Sequence, residues 1–302
     1  LSGRWISEIH KNGKKKVWEI TTKSGRKIIA TSNHPFLKFN GWFNLSELKV
    51  GDLIAAPRVI NYKPSVRVDE RRLRALGLLL SEGNLCHPHG IYFYSSSRLE
   101  IADFIRQVGV FKNTNVKIND SKSAISVYVG KKKQNVENEL FVWIKNLGLW
   151  GKKAPEKFIP DFVFQLSQEQ IASIVGAMWQ GDGCVHNDEC GQIYYATSSE
   201  EMARELQHLL LRLCILSTIH TKSFKYRNGR KRGFTINISR YDNVDKFARW
   251  IGPHLIGDKK KTLDKLVMDN KVLNGSLSYG AARGSKDVIP VEIVESIRQI
   301  MV

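Results

Sequence analysis

The sequence predicts an α+β protein in which a short all-β segment precedes two copies of one mixed unit, each helix–strand–strand–helix–strand–strand–helix. Three observations predict this. An apolar helix ending on an acid followed by glycine occurs twice, as "ALGLLLSEG" and "VGAMWQGDG", with Glu82 and Asp182 100 positions apart. After each acid the same landmarks recur in the same order, as a fixed-period repeat requires. Before the first copy, β-branched runs are cut by turn dipeptides such as Ser24-Gly25, Asn40-Gly41 and Gly51-Asp52.

Taken in order, "VWEITTKSGRKIIAT" reads as a hairpin about Ser24-Gly25, and "HPFLKFNGWFNLSELKVGDLIAAPR" as further short strands. These form an all-β unit over residues 1–62, and "NYKPSVRVDERRL" then links to a helix that begins near Asp69. The first repeat spans 66–170. Beyond Glu82-Gly83 lie a polar loop, a tyrosine-rich strand and "SSSRLEIADFIRQ", where a hydroxyl N-cap precedes an amphipathic helix. The second repeat spans 171–270, with "QIYYATSS" and "EEMARELQHLLLRL" in the matching places. "SAISVYVG" pairs with "GFTINISR", each alternating with period two. In the latter, Phe234, Ile236 and Ile238 share one face and Thr235, Asn237 and Ser239 the other. "ELFVWIKNLGLWGKK" matches "KFARWIGPHLIGDKKK". Residues 271–302 read as a flexible Gly/Ser stretch followed by a helix after Pro290.

Composition narrows the partner. The net charge of +18 favours a polyanion, most commonly nucleic acid. No apolar run reaches the roughly 18–20 residues that span a bilayer, and four cysteines in 302 residues do not make a disulfide framework. An intracellular protein with free thiols is expected, cytoplasmic and nucleoid-associated, without a membrane partner.

The acids are oddly placed, since a helix C-terminus disfavours negative charge. Gly77 and Ser81 in one helix, and Gly176, Ala177 and Gly181 in the other, recur at three- and four-residue spacings that put small residues on one face. Two helices meeting on such faces bring Glu82 and Asp182 together, an arrangement that a hard divalent cation relieves. A simple glycine helix stop is the plainer reading of either copy alone.

These two helices resemble the paired signature helices of LAGLIDADG homing endonucleases, with Glu82 and Asp182 at the position of the catalytic acid and glutamate replacing aspartate in the first. The resemblance runs from about 66 to 270. It implies a pseudo-symmetric monomer of two αββαββα halves, whose sheets form a β-saddle on the major groove of double-stranded DNA. It also implies hydrolysis of one phosphodiester in each strand with Mg²⁺ (or Mn²⁺), held by Glu82 and Asp182 with Ser81 and Gly181 beside them. A lysine serves each site: Lys157 in "EKFIP", and in "GDKKK" Lys260, with Lys259 and Lys261 as neighbours. DNA contacts are expected from Lys131, Lys132 and Lys133, and from Lys225, Arg227, Arg230, Lys231, Arg232 and Arg240, basic residues at probable strand ends. Solvated loops are the plainer alternative for these runs. Relatives of this fold that only hold nucleic acid, as maturases or regulators do, are the competing class; a splicing element with a decayed insert is a third reading.

The N-terminal segment resembles the intein splicing (Hint-like) fold, with a Thr-x-x-His motif at Thr31 and His34. That resemblance implies that His34 polarises a scissile peptide with Thr31 in support, and that host-protein exteins flank the full precursor. The chain begins at Leu1 and ends at Val302, without the terminal nucleophile or the His-Asn pair, so a partial splicing domain is expected. Cys86, His87, His89, Cys184, His186 and Cys190 follow the acids, but no Cys-x-x-Cys pair marks a zinc site.

DNA affinity is expected to fall linearly with salt on a log–log plot, by a slope of about −0.9 for each phosphate neutralised. A fluorescence-anisotropy titration at several salt concentrations checks it, and a flat plot would remove the polyanion argument.

Overall fold

The computed structural model describes residues 8, 10–11, 13–121, 125–186, 192–226 and 229–275. The helix expected after Pro290, Arg227 and Cys190 lie outside the described residues.

The N-terminal unit is two hairpins. β1 (Val17–Thr21) pairs with β2 (Lys27–Thr31), and β3 (Pro35–Lys38) with β4 (Gly41–Asn44). The turn expected at Ser24-Gly25 is a five-residue loop, 22–26, closed by Thr22, whose hydroxyl accepts the Arg26 amide at 3.1 Å. Gly25 has φ +82°, and a β-carbon there would lie 2.8 Å from the Ile219 carbonyl oxygen. Glycine is therefore required twice, by conformation and by contact. The contact docks the hairpin on the second repeat: the Ser24 carbonyl accepts the Ile219 amide at 3.0 Å and the Gln207 side chain at 2.9 Å.

Each repeat follows the expected order. The first is α1 (Glu70–Glu82), β5 (Gly83–Asn84), β6 (Ile91–Ser95), α2 (Arg98–Val108), β7 (Thr114–Asp120), β8 (Ile125–Lys131) and α3 (Glu139–Asn146). The second is α4 (Gln168–Asp182), β9 (Gly183–His186), β10 (Gln192–Thr197), α5 (Glu200–Arg212), β11 (Thr218–Tyr226), β12 (Gly229–Ile238) and α6 (Tyr241–Trp250), followed by α7 (Gly257–Gly275). The sheets have matching order, β5-β6-β8-β7 and β9-β10-β12-β11, antiparallel throughout. Caps explain where the helices start. Asp69 accepts the Arg71 and Arg72 amides at 3.0 and 3.2 Å, and Ser97 and Ser199 accept the amides of Glu100 and Met202. In β12 the buried residues are Phe234, Ile236 and Ile238, as their alternation predicts.

The core gathers around α1 and α4. Every residue from Gln170 to Gln180 is buried, so α4 is enclosed on all sides, unlike a surface helix with one apolar stripe. A β-carbon at Gly77 would lie 2.6 Å from the Ile174 carbonyl oxygen and 2.7 Å from the Ala177 β-carbon. At Gly181 it would lie 2.3 Å from the Ser81 hydroxyl oxygen and 2.9 Å from Glu82 Cγ. The two backbones thus meet on their small residues, as the spacing implies. Gly176 is an exception: it faces His254, 2.4 Å from where its β-carbon would stand, because one further residue turns it to the other side of the helix. No helix of the described residues is long and apolar enough to cross a membrane.

Gly77→Val is expected to cost about 1–3 kcal/mol by overpacking the helix contact, while Gly229→Ala, with open space around it, changes little. Urea unfolding of both variants checks this.

Candidate active site

The first helix ends in a cage of carbonyls around an ammonium group. Lys157, in the segment between α3 and α4, is only 4% exposed. Its Nζ donates to the carbonyls of Gly83 at 2.7 Å, Leu79 at 2.9 Å and Leu80 at 3.0 Å, with Ser81 at 3.4 Å. Those carbonyls carry the negative end of the helix dipole, so the lysine offsets the field that Glu82 would otherwise oppose. The second helix ends the same way. Lys259 donates to the Gly181 carbonyl at 2.6 Å, to Trp179 at 3.2 Å and closely to Gln180.

This corrects the expectation for the second lysine. Lys260, one residue further on α7, points away and pairs with Asp264; Lys261 lies near Asp258. One residue rotates a helical side chain by about 100°, so only one lysine of the three can face α4. Spacing carried a signal for it: Lys157 follows Glu82 by 75 positions, and Lys259 follows Asp182 by 77, one fewer than Lys260.

Burial raises the Glu82 carboxyl to about 7; Asp182 and Glu100 push in the same direction, and Lys259 and Lys157 pull against them. Asp182 is raised too, by burial, with Lys157, the Tyr195 hydroxyl and Lys259 opposing. Burial brings Lys157 down to about 8 against the pull of both acids, and lowers Lys259 as well. Tyr195 is an unpredicted member of the site. It is fully buried, donates to Asp182 Oδ2 at 3.4 Å, and is held protonated by burial and by the acid. Strand register gave it away only in three dimensions: Tyr195 pairs with Gly183, and the matching partner of Gly83 is Phe93.

The donors gathered here are all oxygens, two carboxylates and the carbonyls of Ser81 and Gly181, which suits a hard divalent cation. Each carbonyl already accepts from a lysine and keeps a second lone pair. The Ser81 hydroxyl turns back along α1, donating to Leu78 O at 3.0 Å, so Ser81 offers its carbonyl alone. The glycines after the acids serve a steric need. Gly83 and Gly183 have φ of −80° and −79°, open to any residue. A β-carbon would lie 2.4 Å from the Leu79 carbonyl oxygen at one and 2.1 Å from Trp179 Cδ1 at the other.

The basic residues fall on the periphery. Lys131 ends β8, and Lys132 and Lys133 follow it, all three exposed. Lys225, Arg230, Lys231 and Arg232 line the projecting β11–β12 hairpin, where Lys225 faces Arg230 and Ser223 faces Arg232. Arg240 sits apart at the start of α6 with φ +76° and pairs with Asp242 at 3.4 Å. Thr31 ends β2 and His34 lies in the turn before β3, where the His34 amide donates to the Thr31 carbonyl at 3.0 Å and its exposed ring meets Phe36 edge-on. Of the Cys/His set, the His87 ring rests against Tyr92 at 4.4 Å and next to His89 at 5.4 Å.

Residues 169–252, the second repeat, match the profile of the LAGLIDADG-like domain. With the matching order of elements in the first repeat, the fold is α+β of the LAGLIDADG type. The chain is 30% identical over 97% of its length to the replicative DNA helicase DnaB of Synechocystis sp., of which it covers 34%. It is 27% identical over 88% of its length to the replication factor C small subunit of Methanocaldococcus jannaschii, covering 15%, and over 82% to protein RecA of Mycobacterium tuberculosis, covering 33%. The chain thus spans about a third or less of these curated relatives. Among solved structures, I-DmoI in complex with DNA and Ca aligns with 65% of this chain and 97% of its own, at 12% identity and a TM-score of 0.44.

A carboxyl raised in the folded state, as Glu82 is to about 7, holds a proton that the unfolded chain has released above about 4.5. Its contribution is present below about 4.5 and is lost as pH rises through about 7. Melting temperatures in chelator are expected to fall over that window, and less steeply in Glu82→Gln. Parallel curves for the two proteins would contradict the assignment.

Proposed function

We propose that the chain is a site-specific DNA endonuclease of the homing type, borne by an intein, acting as a monomer in the prokaryotic cytoplasm. One observation carries the catalytic part: two acids end two touching helices, and a lysine stands behind each, Lys157 buried and Lys259 half-buried. Two equivalent acid–lysine units on one chain suit two equivalent cuts, one in each strand of a duplex.

Glu82 and Asp182 would hold Mg²⁺ or Mn²⁺ with the carbonyls of Ser81 and Gly181. When bound, a divalent cation supplies Lewis acidity toward a phosphate oxygen and favours ionisation of water. The chain's own groups do the rest. Lys157 and Lys259 fix the direction of each helix end and carry positive charge beside the place where negative charge develops. Tyr195 orients Asp182 through its hydroxyl. The polar faces of the two sheets, with Thr235 and Asn237 on one and Tyr92, Ser126 and Tyr128 on the other, offer donors and acceptors of the kind that read base edges in a major groove. Lys131–Lys133 and the β11–β12 hairpin supply phosphate contacts.

The intein part rests on two supports. Nearly the whole chain matches a fraction of three proteins whose names are unrelated as functions, a helicase, a replication factor subunit and RecA, as an element inserted into different hosts would. The N-terminal hairpins also leave large apolar side chains exposed, Ile29 and Trp42 each at 68%, with only Ala30 and Phe36 buried there. A β unit that exposes its own core residues suits a splicing domain completed by strands from elsewhere. Thr31 and His34 would then serve splicing in the full precursor.

Asp182→Asn is expected to abolish cutting, by at least about 100-fold, of a plasmid carrying the intein-free host junction in Mg²⁺, while a gel-shift assay gives unchanged affinity. A variant that still linearises the plasmid would exclude this site.

A further inference from the structure

The lysines behind the two acids are held in place from the opposite repeat. Lys157 follows α3 of the first repeat and caps α1, but its backbone is gripped by α5 of the second. The Ser199 hydroxyl donates to the Lys157 carbonyl at 2.6 Å, and the Ile159 amide donates to Glu205 Oε2 at 2.7 Å. Ser199 is fully buried and also caps α5, so α5 and the lysine segment are joined at one side chain. The mirrored arrangement serves Lys259. The Ile256 amide, three residues before it, donates to Gln180 Oε1 at 2.9 Å, and Gln180 Nε2 donates to Glu100 Oε1 at 2.7 Å. Glu100 belongs to α2 of the first repeat, where the Ser95 hydroxyl steadies its other oxygen at 2.5 Å. A β-carbon on Gly257 would also touch Leu99 of α2, at 3.4 Å.

We propose that Glu205 and Ser199 are positioning residues for Lys157, and Glu100 with Gln180 for Lys259, so that each half of the site is aligned by the other repeat. The inference rests on the endonuclease reading for its consequence: the two cuts depend on docking of the two halves against each other, and a half that has come undocked loses the hold on its own lysine. Burial drives the design. Lys157 is buried at 4% exposure, and a backbone shift of about an ångström would lengthen its bonds to the four carbonyls beyond hydrogen-bond reach. Shifts of that size cost up to about 100-fold in rate. The crossing is not copied residue for residue. Glu205 touches the lysine segment directly, whereas Glu100 acts through Gln180, and the position in α5 that corresponds to Glu100 is Met202. Two different sets of side chains thus perform the same crossed task.

The test uses the full chain and a duplex labelled differently on each strand, the strand assigned to Lys157 being the one whose cutting Lys157→Met removes. Glu205→Leu, which keeps the volume and removes the acceptor, is expected to slow that strand about tenfold or more and leave the other within about twofold, so that nicked duplex accumulates. Glu205→Gln retains an acceptor for the Ile159 amide and is expected to restore the balance. Glu100→Leu should bias the cuts the opposite way. Equal slowing of both strands, or of neither, overturns the proposal. Should the wild-type protein cut neither strand, the endonuclease reading fails, and positioning is read from the amines themselves. Reductive methylation followed residue by residue in the mass spectrometer should then label Lys157 faster in Glu205→Leu and Lys259 at its wild-type rate. An unchanged Lys157, or a rise at every lysine, is the result that sinks it.

Discussion

Two acidic side chains stand at the C-terminal ends of two helices whose backbones touch, and most of the molecule is arranged around that constraint. Each carboxylate meets the negative end of its own helix and the charge of the other acid at the edge of the core, where Glu82 is half-buried and Asp182 exposed. Lys157 and Lys259 answer the first problem by filling the last carbonyls of each helix with ammonium protons. Burial keeps both carboxyls above their ordinary range, and at Glu82 the charge of Asp182 adds to it. A site in that condition gains from a hard cation, because charge is what it lacks.

Close approach is bought with small residues at Gly77, Ala177 and Gly181, and its consequences spread outward. Since α4 is enclosed on every side, the segments that flank it are supplied by both repeats: α1 of the first along its small residues, and the turn at Gly252–His254 of the second against Gly176. The same enclosure explains why the lysine segments are tied across the pseudo-symmetry axis. An ammonium with carbonyl partners is stable where its backbone is held: α5 of the opposite half holds the Lys157 segment directly, and Glu100 of the opposite half holds the Lys259 segment through Gln180.

The two halves are alike in order and unlike in detail. Asp182 has the Tyr195 hydroxyl where Glu82 has the ring of Phe93, which stacks on Phe104 at 4.3 Å. The first sheet presents a cluster of Tyr92, Tyr94 and Tyr128, with Tyr92 and Tyr128 rings 5.2 Å apart, whereas the second presents Thr235, Asn237 and the basic hairpin. Chemically different faces suit a surface that meets an asymmetric ligand. The N-terminal hairpins differ again: they are anchored to the second repeat by the Ser24 carbonyl and hold little core of their own.

Much of this was legible along the chain because it rests on local physics. The 100-residue spacing of the acids, the alternation in β12 and the capping residues before α1, α2 and α5 are read from neighbours a few positions apart. So the order of elements, the paired acids and the faces of the strands followed from sequence, while Lys157 came from the family resemblance. What required the fold was everything settled by rotation and distance. Only the phase of α7 decides that Lys259, rather than Lys260, faces the helix end. Gly176 turns away from the helix contact, the glycines after the acids answer to steric contact rather than to backbone conformation, and Tyr195 reaches Asp182 through strand register. The lengths of chain between Glu205 and Ile159, or Glu100 and Gln180, leave no periodic trace. Sequence determined the paired acids and the order of elements around them, because local period and repetition encode them; tertiary structure decided that Tyr195 joins the site and which of several neighbouring lysines faces the helix end, because that depends on angles of one residue and contacts across the axis.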